Sequence, residues 1–319
     1  AVNKLLDEGI DVERLDEPVE IGDISYPTGA FIALTDKDNL EQIAKETGVD
    51  FTALDSIPEL KKHAVERMRV AMYQRYWGGN MDEGWTRWLF EQFNIPYTTV
   101  MDDDIKKGNL NQDYDVLIFP DDSINMITGE GMEERWREMR SGMPKFPPEY
   151  RSGIGDEGVE KVKEFVEKGG TLLTFGEACN FAIEKLDLRI KNALEGTTPK
   201  EFFCPGSTLH ATIDNTHPLG YGMPGEALIL QWTDHTRNKC PVLEIQPSSN
   251  SQDYEEIVKF PEGDLLESGW LIGEEKITGK SAMVSVKKGD GRAVLIAFRP
   301  QHRAQTHGTF KLVFNTLIR

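Results

Sequence analysis

The chain has 319 residues, 39% of them hydrophobic, which is long for one domain and enough to bury two cores. Its 54 acidic and 36 basic side chains leave a formal charge of −18. Phosphate binding needs clustered Lys and Arg, so nucleic acid and anionic membranes are excluded as partners. No run of about 20 apolar residues is present, and no membrane insertion is expected.

In chain order, Ala1–Glu8 reads as a helix already under way, with Val2, Leu5 and Leu6 on one face and Gly9 as its stop. With no initiator Met and no N-cap, this start reads as the cut end of a longer chain. A strand is predicted near Ile10–Arg14. Ile21–Tyr26 and Ala30–Leu34 read as a hairpin around Pro27-Thr-Gly29. A helix follows over Asp38–Thr47, and Glu59–Arg67 reads as a charged helical or linker stretch. Residues 1–66 thus form a small α/β unit, and 67–319 the main domain.

From Arg69 the pattern alternates. Strands are predicted at 69–75, 96–101, 114–119, 170–175 and 292–298, and helices at 82–93, 130–140, 155–168 and 307–317. Val116–Phe119 sits in a continuous apolar run ended by Pro120 and two Asp, as a central parallel strand does. The fold class is therefore α/β, a doubly wound and mostly parallel sheet. Residues 141–154 are rich in Pro and Gly and read as a long loop over the sheet edge, a lid or docking surface. Residues 205–288 read as a β-rich extension that either continues the sheet or forms a separate layer.

Parallel strands aim their following loops at one edge, where open α/β sheets hold ligands. That placement gathers Asn80, Asp82 and Trp85 after the first strand, and Asp121 and Asp122 after the central one. Glu177 follows the next strand, and Arg299, His302 and Arg303 the last. Carboxylates facing guanidinium groups read first as cross-links between loops and second as a polar ligand site. Trp85 and Trp88, at i and i+3, read as helix core for at least one of the pair. Gly78-Gly-Asn80 before a helix hints at an anion site, which Asp82 and Glu83 argue against. Cys179, Cys204 and Cys240 fit no metal-binding spacing and read as free thiols, or as one disulfide plus one thiol.

Several longer segments carry a family resemblance. They are Trp85-Thr-Arg-Trp-Leu-Phe-Glu-Gln-Phe93, Phe202-Phe-Cys-Pro-Gly-Ser207, His217-Pro-Leu-Gly-Tyr-Gly-Met-Pro224, Ser268-Gly-Trp-Leu-Ile-Gly-Glu-Glu275 and the run from Phe298 to Lys311. Together they resemble the C-terminal region of large zinc carboxypeptidases of the carboxypeptidase A type. In that family a class I glutamine amidotransferase-like domain follows the peptidase domain. The resemblance implies a flavodoxin-like, amidotransferase-like fold over residues 69–319 and an upstream peptidase domain as partner. It implies zinc only in that upstream domain, with no cofactor in this chain, and it favours an extracytoplasmic location.

Against that family, three constellations need weighing. His63-Ala-Val-Glu66 matches the H-x-x-E zinc pair, but in a charged, solvated stretch that reads as coincidence, so no metal site is assigned. An amidotransferase elbow, G-x-C-x-G, holds a strained and exposed Cys between strand and helix. Here Gly176-Glu-Ala-Cys179 places the thiol one residue late, a rotation of about 100° on a helix. The family's His-Pro-Glu is displaced to Arg299-Pro-Gln-His302, with Gln in place of the acid. Cys179, His302 and Glu177 therefore remain weak catalytic candidates. The leading expectation is a non-catalytic accessory domain serving docking, substrate presentation or oligomerisation, a homo-oligomer included. The alternatives are a cysteine amidohydrolase using Cys179 and His302, and a sugar- or peptide-binding module.

Overall fold

The computed structural model describes all residues except 36, 55, 57, 58, 78, 132–152, 237 and 248–252, together with the side chains of 37–39. The predicted helix at 130–140 and the loop at 141–154 fall almost wholly outside the described residues.

The N-terminal unit runs α1 (Val2–Asp7), β1 (Val12–Leu15), β2 (Val19–Ile21), β3 (Ile24–Tyr26), β4 (Phe31–Ala33), α2 (Lys37–Thr47) and β5 (Lys62–Ala64). Two expectations are corrected here. First, β3 does not fold back on β4. It pairs with β2, and β4 pairs antiparallel with β1. The cause is the Pro27-Thr-Gly29 turn, where Gly29 donates to Leu15 O at 2.9 Å and steers the chain onto β1. Gly29 has φ 84°, and a Cβ there would sit 2.5 Å from Tyr221 Cβ, so only glycine fits. Second, the charged stretch at 59–67 contains a strand, β5, which pairs with the other side of β1. Its charges are met across the ladder, Lys62 by Glu13 and His63 by Asp16.

The main domain begins with β6 (Val70–Tyr73), α3 (Met81–Gln92), β7 (Thr98–Val100), α4 (Asp102–Lys107) and α5 (Leu110–Asp113). It continues with β8 (Val116–Phe119), α6 (Ile124–Thr128), α7 (Gly155–Glu167), β9 (Thr171–Phe175) and α8 (Cys179–Lys185). Strands β10 (Ile190–Asn192), β11 (Cys204–Ile213), β12 (Glu226–Thr233), β13 (Leu243–Ile245), β14 (Tyr254–Lys259), β15 (Leu266–Ser268) and β16 (Ser281–Lys288) follow. The chain closes with β17 (Gly291–Ile296) and the short α9 (Phe310–Phe314). The predicted last helix at 307–317 is thus shorter, opening with a 3-10 turn at His307–Thr309.

Five strands, in the order β7-β6-β8-β9-β17, are parallel to one another. Numbered along the chain, that is 2-1-3-4-5, a doubly wound order with its switch point between the first and third strands. The β-rich extension is not a separate layer, because β16, β14, β11 and β12 continue the same sheet antiparallel from β17. Side-chain alternation sends Met72, Ile118, Leu173 and Ile296 into one hydrophobic cluster and Ala71, Leu117, Leu172 and Leu295 into another. Both faces are covered, so β8 and β9 are buried at every position and carry no polar alternation.

Arg14 joins the two units. It is 4% exposed, its guanidinium lies 5.1 Å from the Phe31 ring and 4.8 Å from the Tyr221 ring, and Nη2 donates to Asn315 Oδ1 at 2.7 Å. Burial lowers its pKa to about 10, still well above neutrality. The chain end adds a ladder, with Glu66 donating to Arg319 O at 2.7 Å and Arg319 donating back at 3.0 Å. Arg14→Ala should therefore lose about 2–4 kcal/mol in urea denaturation, and Arg14→Lys should recover little because an ammonium cannot span two rings and an amide.

Candidate functional site

The carboxyl ends of β6, β8, β9 and β17 deliver their loops to one place. Asp121, just past β8, is the common partner. Its N–H donates to Asp82 Oδ2 at 2.9 Å, and its Oδ1 accepts the Glu177 N–H at 2.6 Å. Its Oδ2 accepts from Arg299 Nη2. Arg299 also donates to Asn238 Oδ1 at 2.9 Å and lies 5.2 Å from the Trp232 ring. On the switch-point side, Asp122 pairs with Arg75 and accepts the Ser123 N–H at 3.0 Å.

Helix α3 enters this cluster through its N-terminus. Asn80 caps it, accepting the N–H groups of Asp82 and Glu83 at 2.9 and 3.2 Å while its amide reaches Asp121 O and Asp122 Oδ2, each at 3.3 Å. The chain's own side chain therefore fills the end that the glycines suggested for an anion. The helix buries Asp82, Glu83, Thr86, Leu89 and Phe90. Trp85 and Trp88 pack edge to face at 6.0 Å, and Trp88 is 43% exposed. The expectation of a tryptophan core is corrected: polar Asp82 and Thr86 take the inner face because Gln301 satisfies them, its Nε2 donating to Asp82 Oδ1 at 2.6 Å and to Thr86 Oγ1 at 3.1 Å.

The strand-to-helix turn after β9 decides the chemistry. A nucleophile elbow presents its reactive side chain from the strained turn residue. The G-x-C-x-G spacing puts that position at Ala178, but Ala178 is helical with φ −63°. The residue with the left-handed turn conformation is Gly176, with φ 52°, where a Cβ would lie 2.4 Å from Asp121 Oδ1. The space above the turn is thus filled by the Asp121 carboxylate, which also takes the Glu177 N–H that an oxyanion would need. Cys179 lies beyond the turn inside α8 and is fully buried. Its thiol donates to Thr174 O at 3.7 Å and accepts from Thr174 Oγ1 at 3.3 Å. Burial pushes its pKa far up, the opposite of an activated thiol. Cys204 and Cys240 are also free and buried, so the disulfide alternative is not realised.

Among the described residues, His302 ion-pairs with no carboxylate of the acidic loops. Its ring sits 5.4 Å from Trp232, and burial, Arg299 and Arg303 lower its pKa to about 4, so it is neutral at pH 7. Arg303 is exposed, in a left-handed conformation with φ 49°, and touches the site only through its charge. His63 and Glu66 are committed elsewhere, to Asp16 at 2.6 Å and to Arg319 at 2.9 Å, and do not converge as metal ligands. Among the described residues, no group of three or more His, Cys, Asp and Glu side chains is arranged to hold a metal ion.

Of the residues placed at the edge from sequence, Asn80, Asp82, Asp121, Asp122, Glu177 and Arg299 are brought together, with His302 at the rim through Trp232. Trp85 and Arg303 are not. Arg75, Trp232, Asn238 and Gln301 were missed. Asn238 carried a local signal, an Asp234 turn that holds Thr236 and Asn238 by their N–H groups at 2.9 and 3.2 Å. Three carboxyl groups of the cluster are raised, Asp122 among them, where burial outweighs the pull of Arg75. Burial and Asp121 raise Asp82 against the pull of Arg299, and burial and Asp121 raise Glu177 to about 7.

No protein-family model and no curated protein matches the chain. Solved structures similar to it include a cytoplasmic protein from Salmonella typhimurium (13% identity, 78% of this chain and 97% of that one, TM-score 0.44). Another is a ThuA-like protein from Bacteroides uniformis (12%, 78% and 89%, TM-score 0.43). A third is a GMP synthase-type protein from Thermoplasma acidophilum (9%, 79% and 94%, TM-score 0.45). Scores and identities this low carry no inference about activity, and the mixed α/β assignment rests on the strand order itself.

Two substitutions test this geometry. Gly176→Ala should cost about 2–4 kcal/mol, since it adds both strain and overlap with Asp121. Glu177→Gln isolates the raised carboxyl. The folded protein holds the Glu177 proton more tightly than the unfolded chain, whose pKa is near 4.5, so its contribution to stability falls as pH rises through about 7. Urea titrations should find the variant equal to wild type below pH 4.5 and more stable above pH 7, by at most about 3 kcal/mol.

Proposed function

We propose that this chain is a non-hydrolytic accessory domain of a zinc carboxypeptidase-like protein, built on an amidotransferase-like, flavodoxin-type sheet. It serves that protein by docking, by presenting substrate or by assembling copies. The observation that carries the non-hydrolytic reading is Gly176: the turn that would hold a nucleophile has no side chain, and Asp121 occupies the space and the amide that catalysis would use. The 2-1-3-4-5 strand order and the segments from Trp85 to Lys311 support the amidotransferase-like part.

The ion pairs at the carboxyl edge suit a rigid platform. Asp121–Arg299 and Asp122–Arg75 fix loops that amidotransferases use for chemistry. Edges held by buried charge pairs bind in a fixed shape, as docking requires.

Alkylation of Cys179, followed by peptide mass spectrometry against pH, tests the reading. The thiol should react only on unfolding, and Cys179→Ala should leave any glutaminase or amidase signal at background. A thiol that titrates below the reference value of about 8.5, with chelator-resistant hydrolysis lost in Cys179→Ser, would favour the amidohydrolase instead.

A further inference from the structure

Strand β4 ends its sheet, whose order is β4-β1-β5. Leu15 donates to Ala30 O and Leu34 donates to Asp11 O, each at 2.9 Å. Hydrogen-bonded and non-bonded pairs alternate along an antiparallel ladder, so Ile32 is the residue of β4 that bonds to β1. The N–H and C=O groups of Phe31 and Ala33 therefore point to the outer edge, where no described residue pairs with them.

A trough of about 840 Å³ surrounds that edge and is lined by the whole run from Ala30 to Thr35. Successive β4 side chains face opposite sides of the sheet, so a trough touching all of them wraps both faces. Tyr26 and Leu60 wall it alongside Leu15, and Leu40, Ala44 and Phe51 wall it alongside Ala33. A missing neighbouring strand would occupy this space. Phe31 and Leu34 remain 41% and 38% exposed there, which an empty edge leaves uncompensated.

Charge narrows the occupant. Residues 1–66 carry sixteen acidic and six basic side chains, and Glu41 and Asp50 stand in the lining itself. Two copies meeting edge to edge would bring these negative fields together, whereas a basic segment would relieve them.

We propose that β4 binds an extended peptide as an added strand, with alternate apolar side chains seated in the trough and Lys or Arg flanking them. Main-chain bonds to Phe31 and Ala33 supply register, and the acidic rim supplies attraction. This surface is separate from the carboxyl edge of the main sheet and does not depend on how that edge is read.

The test uses the full chain and a fluorescein-labelled peptide of alternating valine and threonine flanked by lysines. Fluorescence anisotropy should give saturable binding, and hydrogen exchange should show the Phe31 and Ala33 amides protected in the complex. Proline at alternate peptide positions, or glutamate flanks, should abolish binding. Ala33→Pro removes an outward N–H without touching the Ile32 bonds to β1, and should weaken binding at least about tenfold. The Glu41→Lys/Asp50→Lys pair, whose fold is checked by circular dichroism, should weaken the lysine-flanked peptide and reduce its salt dependence. The proposal is overturned by absence of saturation up to about 1 mM peptide, by binding that leaves those two amides unprotected, or by wild-type affinity in both variants. Concentration-dependent self-association that protects the same amides without peptide would also overturn it, in favour of a second copy as occupant.

Discussion

Asp121 ties together the connections after β6, β9 and β17 at the carboxyl edge, and its neighbour Asp122 adds a second hold on the one after β6. Its backbone N–H holds the Asp82 carboxylate of α3, one of its oxygens holds the amide after β9, and the other holds the guanidinium after β17. Each of these groups is buried or nearly so, and a carboxylate removed from water is tolerable when it is paired and hydrogen-bonded. Asp121 meets that condition, with a guanidinium donor on one oxygen and a backbone donor on the other. Its position constrains what can follow β9: any residue larger than glycine at 176 collides with it. A glycine at 176 and the Asp121 cross-link are therefore one structural choice.

The same arrangement explains the titration of its neighbours. Burial first, and the charge of Asp121 second, make Asp82 and Glu177 keep their protons to higher pH, while Arg299 pairs with Asp121. Burial, reinforced by Arg299 and Arg303, holds His302 neutral against Trp232. The edge is acidic overall but internally compensated. Arg14 plays the corresponding part between the two units, bridging them through two rings and Asn315.

Much of the parallel sheet was legible because strands buried on both faces have to be continuously apolar. Val116–Phe119 reads that way and lies at the centre beside Thr171–Phe175, which is buried at every position although it carries two threonines. Helix–strand alternation alone then placed Asp82, Asp121, Glu177 and Arg299 at one edge. The N-terminal unit was less legible, since strands of three or four residues have no periodicity to read, and the partner of Phe31–Ala33 was set by the Gly29 turn against Tyr221, 192 positions away. The α3 face was misread for a related reason. Hydrophobic pattern favours at least one of Trp85 and Trp88 as core, but Leu89 and Phe90 share the inner face with polar Asp82 and Thr86, which Gln301 arrives from the far end of the chain to satisfy. Likewise nothing local signals that Trp232 stacks on Arg299. Contacts made across the fold leave no mark on either partner's neighbours.

The central claim is that the Asp121–Arg299 pair cross-links the edge rather than standing ready for a substrate. A double-mutant cycle of Asp121→Asn and Arg299→Met, read by urea denaturation at pH 8, measures it most directly. A cross-link predicts that each single change is strongly destabilising and that the two couple by about 2 kcal/mol or more. A coupling near zero, with both single variants as stable as wild type, would mean that the loops are held by other contacts and that the pair is free for a ligand.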